Sequence, residues 1–142
     1  MTGCKALVIG GSAGSLDVLL KILPHLRTDL SFPILIVVHR KQGTDFLLSD
    51  LLSSKTMLKV KEVEEKEEIK PKTIYLAPSD YHLLLEKDFT FSLDYSEKVN
   101  YSRPSIDVTF QSAAEVYTDK LACLLLSGSN ADGVNGLKMV KN

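Results

Sequence analysis

Along this chain, short uninterrupted apolar runs alternate with stretches whose apolar residues recur every three or four positions. The first run, Lys5 to Ile9, is stopped by Gly10-Gly11 and predicts a strand buried on both faces. A helical stripe of Leu16, Leu19, Leu20 and Leu23 follows, opening at Gly14 or Ser15 and closing near Pro24. Ile34 to Val38 predicts a second buried strand, ending at His39. Thr44 reads as the N-cap of a helix that buries Phe46, Leu47, Leu48, Leu51 and Leu52. Lys59 to Val63 and Thr73 to Ala77 predict two more strands, and Pro78-Ser79-Asp80 breaks the second of them. The charged stretch between them, Glu62 to Glu68, reads as a solvated edge or turn.

A change of pattern comes at Tyr81 to Leu93, where two arms flank Lys87-Asp88 and the second arm alternates apolar with polar residues. That is the pattern of an antiparallel hairpin with one wet face. Asp94 to Arg103 is a polar connection, and Pro104 or Ser105 opens a helix through Ile106, Val108, Phe110, Ala113 and Ala114. Leu121 to Leu126 is the last clear strand; a loop, Ser127 to Gly133, leads to a helical start at Val134 to Val140. Buried strands alternating with amphipathic helices predict βαβ crossovers. The expected fold is α/β: a doubly wound, mainly parallel sheet with helices on both faces and an antiparallel hairpin insertion. No repeat or low-complexity linker divides the chain, so residues 1–142 parse as one domain.

Composition narrows the function classes. A net charge of -1 supplies no field that would draw the chain to nucleic acid or an anionic membrane. No apolar run reaches the roughly 18 residues of a spanning helix. No basic region, apolar stretch and small-residue cleavage site open the chain, so no export signal is read and a cytoplasmic location is expected. Cys4 and Cys123 lie in apolar strand-like segments and read as buried small hydrophobes, neither a disulfide nor a metal pair.

In an open parallel sheet, chemistry gathers beyond the carboxyl ends of the strands. Three such ends carry candidates: Gly10-Gly11-Ser12-Ala13-Gly14, His39 and Asp132. The first fits G-x-S-x-G in the strand–turn–helix context that the pattern requires. Ser12 reads as a nucleophile, a weak one unless a base lies in reach. His39 reads as that base, and Asp132 as the acid that orients the imidazole. The backbone N–H of Ala13, at the start of the following helix, would face a developing oxyanion.

Competing readings exist for each piece. A glycine-serine turn after a first strand more often binds phosphate or a dinucleotide. Here Ser12 and Ser15 occupy the second and third glycine positions of G-x-G-x-x-G, and no acid ends the second strand. Arg40 keeps an NADP reading open, whereas a Walker A loop is excluded because no Gly-Lys-Ser/Thr follows. His25, beside Pro24, reads as structural; His82 is ambiguous; an Asp before Gly, as at Asp132, is most often a turn residue.

The chain order Ser12, His39, Asp132 differs from the Ser, acid, His order of common α/β-hydrolases. Together with five ordered blocks it resembles the chemotaxis protein-glutamate methylesterase family (CheB-type catalytic domain). The blocks are Val8 to Gly14, Ile36 to His39, Tyr75 to Leu83, Arg103 to Val108, and Leu126 to Gly133. The resemblance implies a cytoplasmic hydrolase that removes methyl groups from glutamate side chains on chemoreceptor helices, releasing methanol; many members also deamidate glutamines. It implies Ser12 as nucleophile, His39 as base, Asp132 as the histidine's partner, and the Ala13 and Ser129 backbone N–H groups as oxyanion donors. It implies no cofactor and no metal. The family's turn usually reads Ser-Thr-Gly-Gly against Ser12-Ala13-Gly14-Ser15 here, and a Met often stands at the Ser129 position. Typical members begin with a receiver domain and run some tens of residues beyond Asn142, so the chain is expected to lack both parts. Without a receiver, the partners the resemblance implies are the methylated chemoreceptor helices and a separate receiver or two-component partner. The alternative functions are a non-catalytic receptor- or partner-binding domain of a two-component system and, more weakly, a dinucleotide-binding module.

Overall fold

The computed structural model describes residues 3–39, 48–99 and 102–126. Its strands are β1 (Ala6–Gly11), β2 (Ile34–Val38), β3 (Lys59–Glu62), β4 (Thr73–Leu76), β5 (His82–Leu85), β6 (Phe91–Asp94) and β7 (Leu121–Leu125). The helices are α1 (Leu16–Ile22), α2 (Leu48–Ser53) and α3 (Ile106–Tyr117). Five strands form one sheet in the order β3-β4-β2-β1-β7, with every pairing parallel. β5 and β6 form a separate antiparallel pair.

The uninterrupted apolar runs follow from coverage on both faces. Val8, Leu35, Val37, Tyr75 and Ala77 join Ile106, Phe110 and Ala113 of α3 and Leu83, Leu85 and Phe91 of the hairpin in one core. Their strand neighbours Ile9, Ile34, Ile36, Ile74 and Leu76 pack with Leu19 and Leu23, near α1, and with Leu48 and Leu52 of α2. Alternate residues along β1, β2 and β4 thus feed two cores, as period-two side-chain direction demands. A helix as short as α1 is unstable alone. Leu19 and Leu23, both fully buried, supply roughly 1.5–3 kcal/mol each to hold it on the sheet.

The hairpin has its own edge to satisfy. β6 takes one side of β5, and α3 takes the other through hydroxyls one helical turn apart. Thr109 Oγ1 donates to the Leu83 carbonyl at 2.8 Å, and Ser112 Oγ donates to the Leu85 carbonyl at 3.1 Å. Leu85 N–H returns a bond to Ser112 Oγ at 2.7 Å. An edge that would otherwise invite another strand is closed by side chains.

Several expectations shift. Gly10 and Gly11 do not stop the first strand; they belong to it, pairing with Val37 and Val38. Leu51 is 41% exposed, because only one side of α2 meets the sheet. Phe89 leaves the alternation of the second arm: it lies in the turn at φ 62, with Phe91 as the first buried residue of β6. Both cysteines are half-buried free thiols. The charged stretch is not wholly solvated, since Val63 is buried and Glu67 pairs with Lys61 at 2.5 Å. Thr44, Phe46 and Leu47, and the helix start at Val134 to Val140, lie outside the described residues.

Candidate active site at the β1–β2 strand ends

β1 is the switch point of the sheet: the chain proceeds to β2 on one side and returns in β7 on the other. Ligands in doubly wound folds bind outside the carboxyl ends of strands at such a point. Ser12 follows β1 directly and His39 follows β2 directly, and the register Gly11↔Val38 continues to them. His39 N–H donates to the Gly11 carbonyl at 3.0 Å, extending the ladder by one bond. The serine and the histidine are therefore brought together on neighbouring strand ends, both half-buried. On the other flank, Leu126 N–H donates to the Gly10 carbonyl at 2.9 Å, so the chain beyond β7 departs from the same rim. Asp132 and Ser129 lie outside the described residues, as does Arg40.

The turn itself is tightly packed from beneath. A Cβ on Gly10 would stand 2.5 Å from Ile106 Cγ2 and 3.3 Å from Phe110 Cζ. A Cβ on Gly11 would collide with the Ser15 side chain. These two glycines make room for protein atoms, which removes the main reason for reading them as a cradle for pyrophosphate. Gly14 differs: the nearest neighbour of a Cβ there is Ser12 Oγ at 3.9 Å, so it borders the space in front of that hydroxyl. After Ser12 the chain makes a single 3-10 turn, Ala13–Ser15, before α1 begins. Ser15, which pattern reading marked as a helix opener and as the residue in the third glycine position, binds back to Ser12: its N–H and hydroxyl both donate to the Ser12 carbonyl, at 3.0 and 2.6 Å. The serine two residues past the elbow's Ala13 was the available signal.

His82 is structural. It is 1% exposed, with Ser105 N–H donating to Nδ1 at 3.1 Å and Nε2 meeting the Glu97 carbonyl at 2.8 Å. A backbone N–H only donates and a carbonyl only accepts, so the ring is neutral with its proton on Nε2. Both nitrogens are committed. The bonds tie the hairpin to Ser105, whose hydroxyl caps α3 by accepting from Val108 N–H at 3.4 Å.

Beside this, Arg103 donates from Nε and Nη2 to Asp80 Oδ1 at 3.1 and 2.7 Å and lies 3.8 Å over the Tyr95 ring. The hydrogen bond to Asp80 raises the Arg103 pKa above its ordinary value. The pair joins the segment after β4 to the start of α3. An open depression of about 580 Å³, lined by residues including Cys4, Pro33 and Tyr117, lies at the amino ends of the strands, opposite Ser12. Among the described residues no three His, Cys, Asp or Glu side chains are grouped to hold a metal ion. Nor is any described helix long and apolar enough to cross a membrane.

Fold and site together define a doubly wound α/β domain that presents a serine on a strand-to-helix glycine turn, next to a histidine on the adjoining strand. The family model of the CheB methylesterase matches residues 7–142. A Leptospira interrogans protein is 50% identical over 137 residues, covering 96% of this chain and 71% of its own length. A Thermotoga maritima protein-glutamate methylesterase/protein-glutamine glutaminase is 40% identical over 140 residues, covering 96% of this chain and 41% of its own length. The crystal structure of the Thermotoga maritima CheB methylesterase catalytic domain superposes with a TM-score of 0.92 at 40% identity, over 97% of this chain and 75% of that one. The chain belongs to the CheB methylesterase family.

Proposed function

We propose that this chain hydrolyses methyl esters of glutamate side chains on the cytoplasmic helices of chemoreceptors, with Ser12 as nucleophile. One observation carries the assignment of residues: Ser12 and His39 occupy adjoining ends of β1 and β2, joined by the His39 N–H bond to Gly11. Family membership and the relatives' names support an ester hydrolase over a purely binding domain.

In this mechanism His39 takes the Ser12 hydroxyl proton as Oγ attacks the ester carbonyl. The tetrahedral oxyanion is met by the backbone N–H groups of Ala13 and Ser129. The C–O bond to the methoxy group breaks, His39 returns its proton, and methanol leaves an acyl-enzyme on Ser12. Water, deprotonated by His39, then attacks the acyl carbon and releases the glutamate carboxylate with Ser12 reprotonated. Asp132 orients the imidazole and stabilises its charged form. Glutamine would follow the same path with ammonia as leaving group, and the glutaminase in relatives' names supports testing it.

The deciding experiment is Ser12→Ala, assayed for methanol release from methylated receptor. Loss of release with an unchanged melting temperature, and loss of fluorophosphonate labelling at position 12, is expected. Retained release would overturn the assignment.

A further inference from the structure

The Ser12 carbonyl accepts two bonds from one residue. Ser15 N–H donates at 3.0 Å and Ser15 Oγ at 2.6 Å. Ser15 is 2% exposed and stands at the N-cap of α1, yet its side chain makes no forward cap bond. An N-cap hydroxyl ordinarily accepts from the N–H two or three residues on. Here it donates backward, so α1 forgoes a side-chain cap and the Ser12 carbonyl gains a second donor.

That carbonyl belongs to the Ser12–Ala13 peptide unit. A trans peptide is planar, and its N–H points opposite to its C=O. Holding the oxygen toward Ser15 therefore aims the Ala13 N–H the other way. In the proposed reaction that N–H is an oxyanion donor, and such donors act by being oriented before charge develops. Gly11 completes the arrangement, because any side chain there would take the place of Ser15.

We propose that Ser15 is a positioning residue for the oxyanion site, its hydroxyl locking the Ser12–Ala13 peptide plane. The inference rests on Ser12 being the nucleophile. Ser15 touches no reacting atom, so loss of its hydroxyl slows the charged step and leaves substrate binding alone.

The test compares the purified wild-type protein with Ser15→Ala and Ser15→Cys, measuring kcat and KM for methanol release, the rate of fluorophosphonate labelling and the melting temperature. Losing a whole oxyanion donor costs about 10²–10³ in kcat; a donor left in place but unlocked is expected to cost about tenfold. KM stays within about twofold, and labelling slows in parallel, since phosphonylation of Ser12, with fluoride leaving, also builds negative charge on an oxygen. Ser15→Cys keeps the shape with a weak donor and serves if the alanine variant fails to fold; a lowered kcat at a native melting temperature supports the proposal. Wild-type kcat in a folded variant, with or without a lower melting temperature, overturns it while Ser12 stands. A wild-type protein that neither releases methanol nor labels overturns both.

Discussion

Gly11 and Ser15 are fitted to each other: the place of a Cβ on Gly11 is held by the Ser15 side chain, whose own Cβ would be 2.9 Å away. Gly11→Ala is therefore expected to destabilise the fold by about 1–3 kcal/mol, the usual range for overpacking. In a Ser15→Gly background the obstacle is gone and Leu126 Cβ, at 3.5 Å, is an ordinary contact. The two substitutions should couple by about 1 kcal/mol or more in a urea-denaturation double-mutant cycle. Strict additivity would show that Ser15 is not what excludes the alanine.

Gly14 borders the open space before the Ser12 hydroxyl, and its φ is not positive. Gly14→Val should fold normally but obstruct the ester, lowering kcat/KM about tenfold or more, as small displacements at a reacting centre do. Steady-state kinetics beside a thermal melt separate the two effects.

The two histidines should fail in opposite ways. His39→Ala is expected to lower turnover by at least about 10²-fold with little change in melting temperature, as loss of a general base does. His82→Leu removes the acceptor of the buried Ser105 N–H and should cost about 1–3 kcal/mol, whereas the Glu97 carbonyl, on an exposed residue, can turn to water. Activity per folded molecule of the His82 variant should be largely kept.

The hydroxyls along α3 are predicted to hold the hairpin. Thr109→Val keeps the volume but strips the buried Leu83 carbonyl of its donor, a cost of about 1–3 kcal/mol in chemical denaturation. Hydrogen exchange at β5 should rise with it.

Alkaline pH should weaken the fold through two groups shielded from water, the half-buried Cys123 and the buried Tyr117. Burial pushes the Cys123 thiol from 9.0 up to about 12, and the Tyr117 phenol from 10.0 up to about 12. Above those ordinary values the unfolded chain releases protons that the native one keeps, so stability falls as pH rises from about 9 towards 12. Melting temperatures measured from pH 8 to 10.5 should decline, and Cys123→Ala should flatten the decline that begins near pH 9, leaving the Tyr117 part.

Strand runs and helical stripes were readable because a sheet covered on both faces leaves a plain mark: Ile34 to Val38 matches β2 residue for residue. Boundaries blurred where a neighbour far along the chain decides the matter. Gly10 looks like a stop until Ile106 is seen packed on it, and Leu51 fits a helical face that the sheet does not reach. Likewise Ser12 and His39 could be named from their places after strands. The difference between His39 and His82 depended on backbone partners at Ser105 and Glu97, which no local pattern encodes. The role of Ser15 stayed hidden for a related reason: a serine there reads as a helix opener, and only geometry shows its hydroxyl turned back to Ser12.

The central place of β1 has a bearing on how the chain acquires its shape during synthesis. β2, which carries the base, follows β1 closely in the chain and can dock beside it early. β7, which pairs with the other flank of β1, comes much later in the chain. Contacts between distant segments form late, after the entropy of closing a long loop has been overcome. The serine and histidine ends would thus meet on a half-open sheet, and the far side of β1 would be covered only after β7 leaves the ribosome.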